Sequence, residues 1–431
     1  MSTKLRTVHD AGDFHRELPA ELFERAVELL TGLAAISSAS GDGAGLEAAA
    51  RMLAEALEQR GLRSEVRFEQ AAGESGGTAP APLPVLYARS GSGAWPAAGA
   101  LLLLGHLDTV LPAVPPHRQG DRLLGTGTVD MKGGLAALAG ALDLLAHRGA
   151  GPPPDLLLVA VPDEEVGGEL SRAAVRRWGA SARALWVLEP GEPAGEGGAE
   201  TLVAGRRGMF DWRLEVRGRA AHAGVHYWRG RSALIAAARW CVEAQALSQP
   251  GSGPTVNAGR LVAGDAEFVA NLASEHALLG GDRRLNVVPD HALAEGEARF
   301  LRPGEGEELA HRLAEVAAAV GAATETEIVF TPGPPIPAVD PGGPQRARCE
   351  RAVALAARRG WRLEIEEARG GISFANFLPD PGRLPVLDGL GPVGGGMHTR
   401  DEFVDLVSLR RRIVLLADLL QEDAHARRRK S

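Results

Sequence analysis

The sequence predicts an α/β protein: a discontinuous domain built on a mostly parallel central sheet flanked by helices, carrying an inserted α+β domain of ferredoxin-like type. Three observations carry that reading. Short uninterrupted apolar runs at 100–104, 156–161 and 185–188 alternate with helix-period segments, the pattern of parallel strands buried on both faces. After Gly205 the periodicity switches to two, which marks a sheet with one wet face. Beyond Pro332 the alternation of helix and apolar run resumes, so the first domain is interrupted rather than followed by the second. A chain of 431 residues is also too long for one compact core.

Taken in order, Leu22, Phe23, Ala26, Val27, Leu30 and Leu33 fall on one helical stripe, and 46–57 reads as a second helix. A third helix, 133–147, separates the first two apolar runs. Phe210, Trp212, Leu214 and Val216 alternate with Asp211, Arg213, Glu215 and Arg217, giving a strand. Leu234, Ile235, Ala238, Cys241 and Val242 then recur at helical spacing. Strand-like segments at 255–262 and 292–301, a helix at 307–320 and a strand at 324–330 complete the order β-α-β-β-α-β. The last part reads as a helix at 345–359, a strand at 362–367 and a helix at 403–420. The expected domains are therefore 1–204, 205–331 and 332–431, the first and last forming one unit.

Composition excludes several classes. The 47 Lys and Arg against 55 Asp and Glu leave a net charge of −8 with no basic stripe, which argues against a nucleic-acid partner. The apolar runs are strand-sized, whereas a spanning helix needs about 20 residues, so no membrane association is expected. Residues 1–19 mix both charges and have no apolar signal core, pointing to a cytoplasmic protein. Cys241 and Cys349 are the only cysteines, too few for a disulfide framework or an all-cysteine zinc site.

The chemistry-bearing residues cluster at the ends of the apolar runs. His106 and Asp108 follow the first run, where open parallel sheets place ligands. Gly125-Thr126-Gly127-Thr128-Val129-Asp130-Met131-Lys132-Gly133-Gly134 is a glycine-dense turn that opens a helix. It fits neither a dinucleotide fingerprint nor a P-loop, and its carboxylate repels phosphate. Asp163-Glu164-Glu165 and Glu189 follow the next two runs. Carboxylates at the ends of apolar strands are costly without a compensating cation. His106, Asp130, Glu165 and Glu189, with His398 in a flexible glycine-rich loop, form a His and carboxylate set suited to zinc, cobalt or manganese.

The ordered set His-x-Asp, Gly-x-Gly-x-x-Asp-x-Lys-Gly-Gly, Asp-Glu-Glu, Glu-Pro, Ala-His-Ala-Gly and Gly-Gly-Gly-x-His resembles the co-catalytic di-zinc metallopeptidases. That family includes glutamate carboxypeptidase, acetylornithine deacetylase, succinyl-diaminopimelate desuccinylase and the aminoacylases. The resemblance implies two zinc ions per subunit, bridged by Asp130. His106 and Glu189 would complete one site, and Glu165 and His398 the other. It implies that Asp108 orients His106 and that Glu164 is the general base. The inserted domain would be a lid and dimerisation domain, its His222 reaching the partner's site in a homodimer. Arg299 matches a lid arginine that grips a substrate carboxylate, and Asn286 an asparagine near the substrate. Three departures stand out: a long segment between Gly264 and Asn286, Phe374 at a position often Asp, and no basic residue near Thr331-Pro332-Gly333-Pro334.

The expected function is a metal-dependent hydrolase cleaving an amide bond next to an amino-acid carboxylate, as a carboxypeptidase-like exopeptidase does. The alternatives are an N-acyl amino acid deacylase and, in a different class, a catalytically silent metal-binding recognition protein. The substrate is a small peptide or an N-acyl amino acid.

Overall fold

The computed structural model describes residues 17–70, 81–91, 99–194, 198–272 and 287–428. The chain divides into two compact units, 1–204 with 341–367 and 373–431, and 205–340 with 368–372.

The first unit is organised on a six-stranded sheet. At its centre Leu101–His106 runs parallel to both Leu156–Val161 and Ala184–Val187, with His106 opposite Val161 and Leu104 opposite Val187. Val386–Leu387 adds a further parallel strand beside Ala184–Val187. All of Leu101–His106, Leu156–Val161 and Ala184–Val187 is buried, which is why these strands read as continuous apolar runs rather than alternating ones. Parallel pairing also sends the carboxyl ends of the three central strands out at one edge, where ligands bind in open α/β sheets.

Two antiparallel strands, Arg63–Glu69 and Leu83–Arg89, extend the other side of the sheet and were not expected. Arg63–Glu69 is half exposed and mostly polar, so its sequence carries little strand signal. The helices follow their stripes. Ala20–Ala35 buries Phe23, Ala26, Val27, Leu30 and Leu33, while Lys132–His147 is buried on nearly all sides and packs against Leu406–Arg428.

That final helix corrects one expectation. Phe403–Asp405 is a strand paired with Arg122–Leu124, and the helix starts only at Leu406. The cause is Asp405, whose Oδ1 accepts the backbone N–H groups of Val407 and Ser408 at 2.8 and 2.9 Å as an N-terminal cap.

The second unit holds a four-stranded antiparallel sheet in the spatial order Thr255–Gly264, His291–Phe300, Gly208–Arg217, Glu327–Pro332. Helices Ala233–Gln245 and Glu305–Thr324 complete the β-α-β-β-α-β chain order. Their packing is centred on Trp212 and Trp240, edge to face at 4.8 Å, with Trp240 Nε1 donating to the Leu313 carbonyl at 3.2 Å.

The second helix runs on to Thr324, where a strand was expected to begin. Glu325 takes a left-handed conformation, φ 49°, and Thr326 N–H closes on the Gly321 carbonyl, delaying the strand to Glu327. A short helix, Ala266–Leu272, follows the edge strand inside the long segment after Gly264. The unit also continues past 331, because Ile336 pairs with Met209 and Val339 with Arg206. Among the described residues no helix is long and apolar enough to cross a membrane.

Candidate metal centre

The first unit brings His106, Asp130, Glu165, Glu189 and His398 into two groups that share one carboxylate. His106, Asp130 and Glu189 form one, and Asp130, Glu165 and His398 the other, with ligand atoms within 4.8 Å of one another in each group. Asp130 Oδ1 lies 3.2 Å from His106 Nε2, and Asp130 Oδ2 lies 3.4 Å from His398 Nε2. Its two oxygens thus face opposite sides. Glu189 Oε1 is 3.7 Å from His106 Nε2, and Glu165 Oε2 is 3.2 Å from His398 Nε2.

Each side chain owes its place to a strand end or a turn. His106 closes its strand and Glu189 follows the parallel neighbour. Asp130 lies one residue before Met131, the N-cap of the crossover helix Lys132–His147, after a turn in which Gly125 and Gly127 adopt positive φ. A side chain at Gly127 would meet Thr109 and Lys132, so this turn tolerates only glycine there. His398 lies between the Gly394–Gly395 and Phe403–Asp405 strands and itself takes φ 62°.

Asp108, fully buried, does two things. Its backbone carbonyl is 2.9 Å from His106 Nδ1, and its Oδ1 is 3.4 Å from the same nitrogen. A proton held at Nδ1 leaves the Nε2 lone pair facing Asp130 and Glu189, the orientation a metal-binding histidine needs. The Asp108 carboxylate also accepts the backbone N–H groups of Glu164 and Glu165, at 3.2 and 3.1 Å, and the Ser40 hydroxyl at 2.8 Å. It therefore fixes the turn that presents both glutamates. Asp163, by contrast, accepts from Leu170 N–H and from Ser171 N–H and Oγ–H, and caps the helix Glu169–Gly179.

The donor chemistry fits divalent cations. Burial pushes the Glu165 carboxyl up to about 7, helped by the charges of Asp130 and Glu164 against the opposing histidines. Hydrogen bonding to Asp130 raises His398 to about 9. Burial opposes charge on His106, yet Asp108, Asp130 and Glu189 together raise it well above the ordinary histidine value. Burial likewise opposes the Asp130 charge, but the two histidines hold that carboxyl well below its usual range. The cluster thus takes up protons where it needs positive charge, which is the requirement a divalent cation meets.

Two further residues support the site: Glu402, which carried no sequence signal that singled it out, and Lys132, which stands in the Gly-x-Gly-x-x-Asp-x-Lys-Gly-Gly motif without a role assigned to it there. Glu402, 2% exposed, accepts the backbone N–H groups of Gly127, Val129 and Asp130 at 2.8, 3.0 and 3.1 Å. Only the question of what satisfies the buried donors of the glycine turn would have found it. Lys132, buried and lowered to about 8 by that burial, donates to the Leu33 and Ile36 carbonyls at 2.9 and 3.1 Å. It ties the turn to the end of helix Ala20–Ala35.

The remaining expected residues belong to the second unit. His222 is exposed, and its Nδ1 accepts the Gly224 N–H at 3.1 Å, so the neutral ring carries its proton on Nε2. Arg299 lies in His291–Phe300 with Nε and Nη2 bound to Glu297 at 2.8 and 3.0 Å and Nη1 donating to the Gly370 carbonyl. Asn286 lies outside the described residues. Phe374 is fully buried within the first unit.

Residues 102–422 match peptidase family M20/M25/M40. The chain belongs to this family. It is 26% identical over 328 residues to carboxypeptidase G2 of Pseudomonas sp. (strain RS-16), covering 75% of this chain and 73% of that protein. To succinyl-diaminopimelate desuccinylase of Paracoccus denitrificans (strain Pd 1222) it is 28% identical over 352 residues, covering 76% and 83%. Aminopeptidase PepT from Bacillus cereus ATCC 10987 shares the fold, with a TM-score of 0.72 and 20% identity over 93% of this chain and 99% of that one. The M20 chain is accordingly a hydrolase of a metallopeptidase family, and its α/β architecture agrees with the expectation from sequence.

Proposed function

We propose that this protein hydrolyses the amide bond next to an amino-acid carboxylate, acting as a carboxypeptidase-like exopeptidase with two zinc ions per subunit, for which cobalt or manganese can substitute. The observation that carries the reading is the pair of three-residue groups sharing Asp130, with Glu164 held beside them by Asp108. His106, Asp130 and Glu189 hold one ion, and Asp130, Glu165 and His398 the other. When bound, such ions polarise the scissile carbonyl and lower the pKa of water to about 7.

The protein's own groups complete the reaction. Asp108 keeps the His106 proton on Nδ1 and holds the Glu164 turn. Glu164 takes a proton from the attacking water and returns it to the departing amine. His222 of one subunit offers its Nε2–H to the oxyanion in the partner's site, a role supported by the bond that fixes Nδ1 as an acceptor. Arg299 and Asn286 receive the substrate's α-carboxylate, with Arg299 exchanging Glu297 for it. A homodimer is favoured by the apolar residues that helix Ala233–Gln245 leaves exposed, Ile235 at 61% and Val242 at 69%, and by the edge strand Thr255–Gly264. We place the enzyme in the cytoplasm.

Deacylation of an N-acyl amino acid is the second reading, favoured by the match over 83% of the Paracoccus desuccinylase. Incubating the zinc-loaded protein with a mixed library of dipeptides and N-acyl amino acids, read by mass spectrometry, decides between them. Loss of C-terminal residues from peptides supports the exopeptidase, and exclusive cleavage of acyl groups supports the deacylase. An intact library overturns both.

A further inference from the structure

The segments on either side of His222 form a groove of about 480 Å³ whose walls include Arg219, His226, Trp228, Arg229 and Arg231. No carboxylate is among its described walls. In a chain of net charge −8, three guanidinium groups and an imidazole around one cavity form a marked local excess of positive charge. Arg231 is committed, donating to the Trp228 and Gly230 carbonyls and pairing with Glu325. Those bonds brace the loop. Arg219 and Arg229 form no ion pair among the described residues, and both are exposed.

Beside them Trp228 is 87% exposed, with Tyr227 standing edge to face against it at 5.1 Å. A braced indole that buries almost none of its surface contributes little to folding and offers an apolar platform to a ligand. The volume is within the range of small-molecule sites.

We propose that this groove is a binding site for a carboxylate carried by the acyl part of the substrate, its fork of Arg219 and Arg229 taking the anion and Trp228 the chain between anion and scissile carbonyl. The guanidinium groups match a planar carboxylate. The assignment to the acyl side rests on the proposed amidase reading. The His222 carbonyl accepts the N–H groups of Val225 and His226, at 3.2 and 2.8 Å, and Ala221 lines the groove. The groove therefore accompanies His222 wherever that ring meets the carbonyl. Since Arg299 is assigned the carboxylate on the amine side, an anion in the groove belongs to the acyl side.

The test uses metal-loaded Glu164→Gln protein labelled with 5-fluorotryptophan, its Trp228 resonance assigned with Trp228→Phe. N-succinyl-L-leucine is compared with N-succinamoyl-L-leucine, its isostere in which only the acyl-side carboxylate is replaced by an uncharged amide. The acid is expected to shift the Trp228 resonance at a concentration at least about tenfold below that of the amide, and Arg219→Gln with Arg229→Gln to remove that preference. An unmoved Trp228 resonance, or equal response to acid and amide, overturns the groove. These outcomes are distinct from failure of the amidase reading, which shows as wild-type protein that cleaves neither compound nor any member of the library. A Trp228 shift by the acid alone still supports a carboxylate site in that case, and overturns only its assignment to an acyl group.

Discussion

Glu402 accepts the Asp130 backbone N–H at 3.1 Å, and so ties the segment carrying His398 to the turn that carries the shared carboxylate. The same carboxylate group takes two further N–H donors of that turn, from Gly127 and Val129. An amide in its place would turn an NH2 group toward at least one of these donors and leave it unsatisfied. Glu402→Gln is therefore expected to weaken zinc binding by about 10–100-fold, the usual effect of losing a group that orients a metal ligand. Because Asp130 belongs to both groups, both ions should be affected. Calorimetric zinc titration checks this, and wild-type affinity for either ion would show that the turn holds its shape without Glu402.

The proton uptake of the cluster sets a pH dependence. Glu165, raised from 4.5 to about 7 chiefly by burial, favours the folded state only when protonated, so that stability is lost as pH rises from about 4.5 through 7. His398, raised from 6.5 to about 9 chiefly by Asp130, contributes stability fully present below 6.5 and lost as pH rises through 9. Both run the same way. Metal-free protein should lose thermal stability between about pH 5 and pH 9, while bound zinc takes over from the protons. The zinc-induced rise in Tm should accordingly be larger at about pH 8 than at about pH 6, and differential scanning calorimetry at the two values measures it. An equal rise would mean that these groups do not exchange protons for metal.

What the sequence made legible was the part of the site that follows from strand direction. Three apolar runs, read as parallel neighbours, had to deliver His106, the Glu164 turn and Glu189 to one edge of the sheet, and the structure brings them there. The supporting contacts were not legible in the same way. Glu402 and Asp401 look alike in sequence, and only the fold turns one of them toward the buried donors of Gly127, Val129 and Asp130. The edge strand Arg63–Glu69 escaped because a strand that buries little need not alternate clearly. The helix expected at 403 was displaced by a cap at Asp405, a local hydrogen bond that outweighs the apolar pattern.

Glu164 stands next to Glu165 in a turn whose two N–H groups are held by Asp108, yet it belongs to neither three-residue group around Asp130. A carboxylate placed beside the proposed ligand groups but belonging to neither is suited to move protons. Glu164→Gln should keep both ions and lose about 10²–10⁴-fold in kcat, the range for a positioned acid-base group. Metal analysis and steady-state kinetics on the same preparation test it. Full occupancy with near-wild-type turnover would assign the proton transfer to another group.

If His222 serves the partner's site, the reaction needs one intact Glu164 and one intact His222 from different subunits. His222→Ala protein and Glu164→Gln protein should each be strongly impaired. In a mixed dimer, however, the site of the His222→Ala subunit keeps its own Glu164 and receives His222 from the Glu164→Gln partner, while the other site lacks both. With random exchange at equal concentrations about half of the dimers are mixed, and each has one complete site in two, so activity should recover to about a quarter of wild type. Exchange is followed by two affinity tags on the same sample. Recovery should appear only as mixed dimers form, and should vanish when both substitutions are placed in one chain and mixed with itself. Proven exchange without recovery would return His222 to its own subunit's chemistry or remove it from the reaction, and with it the reason for assigning the Arg219 and Arg229 groove to the acyl side.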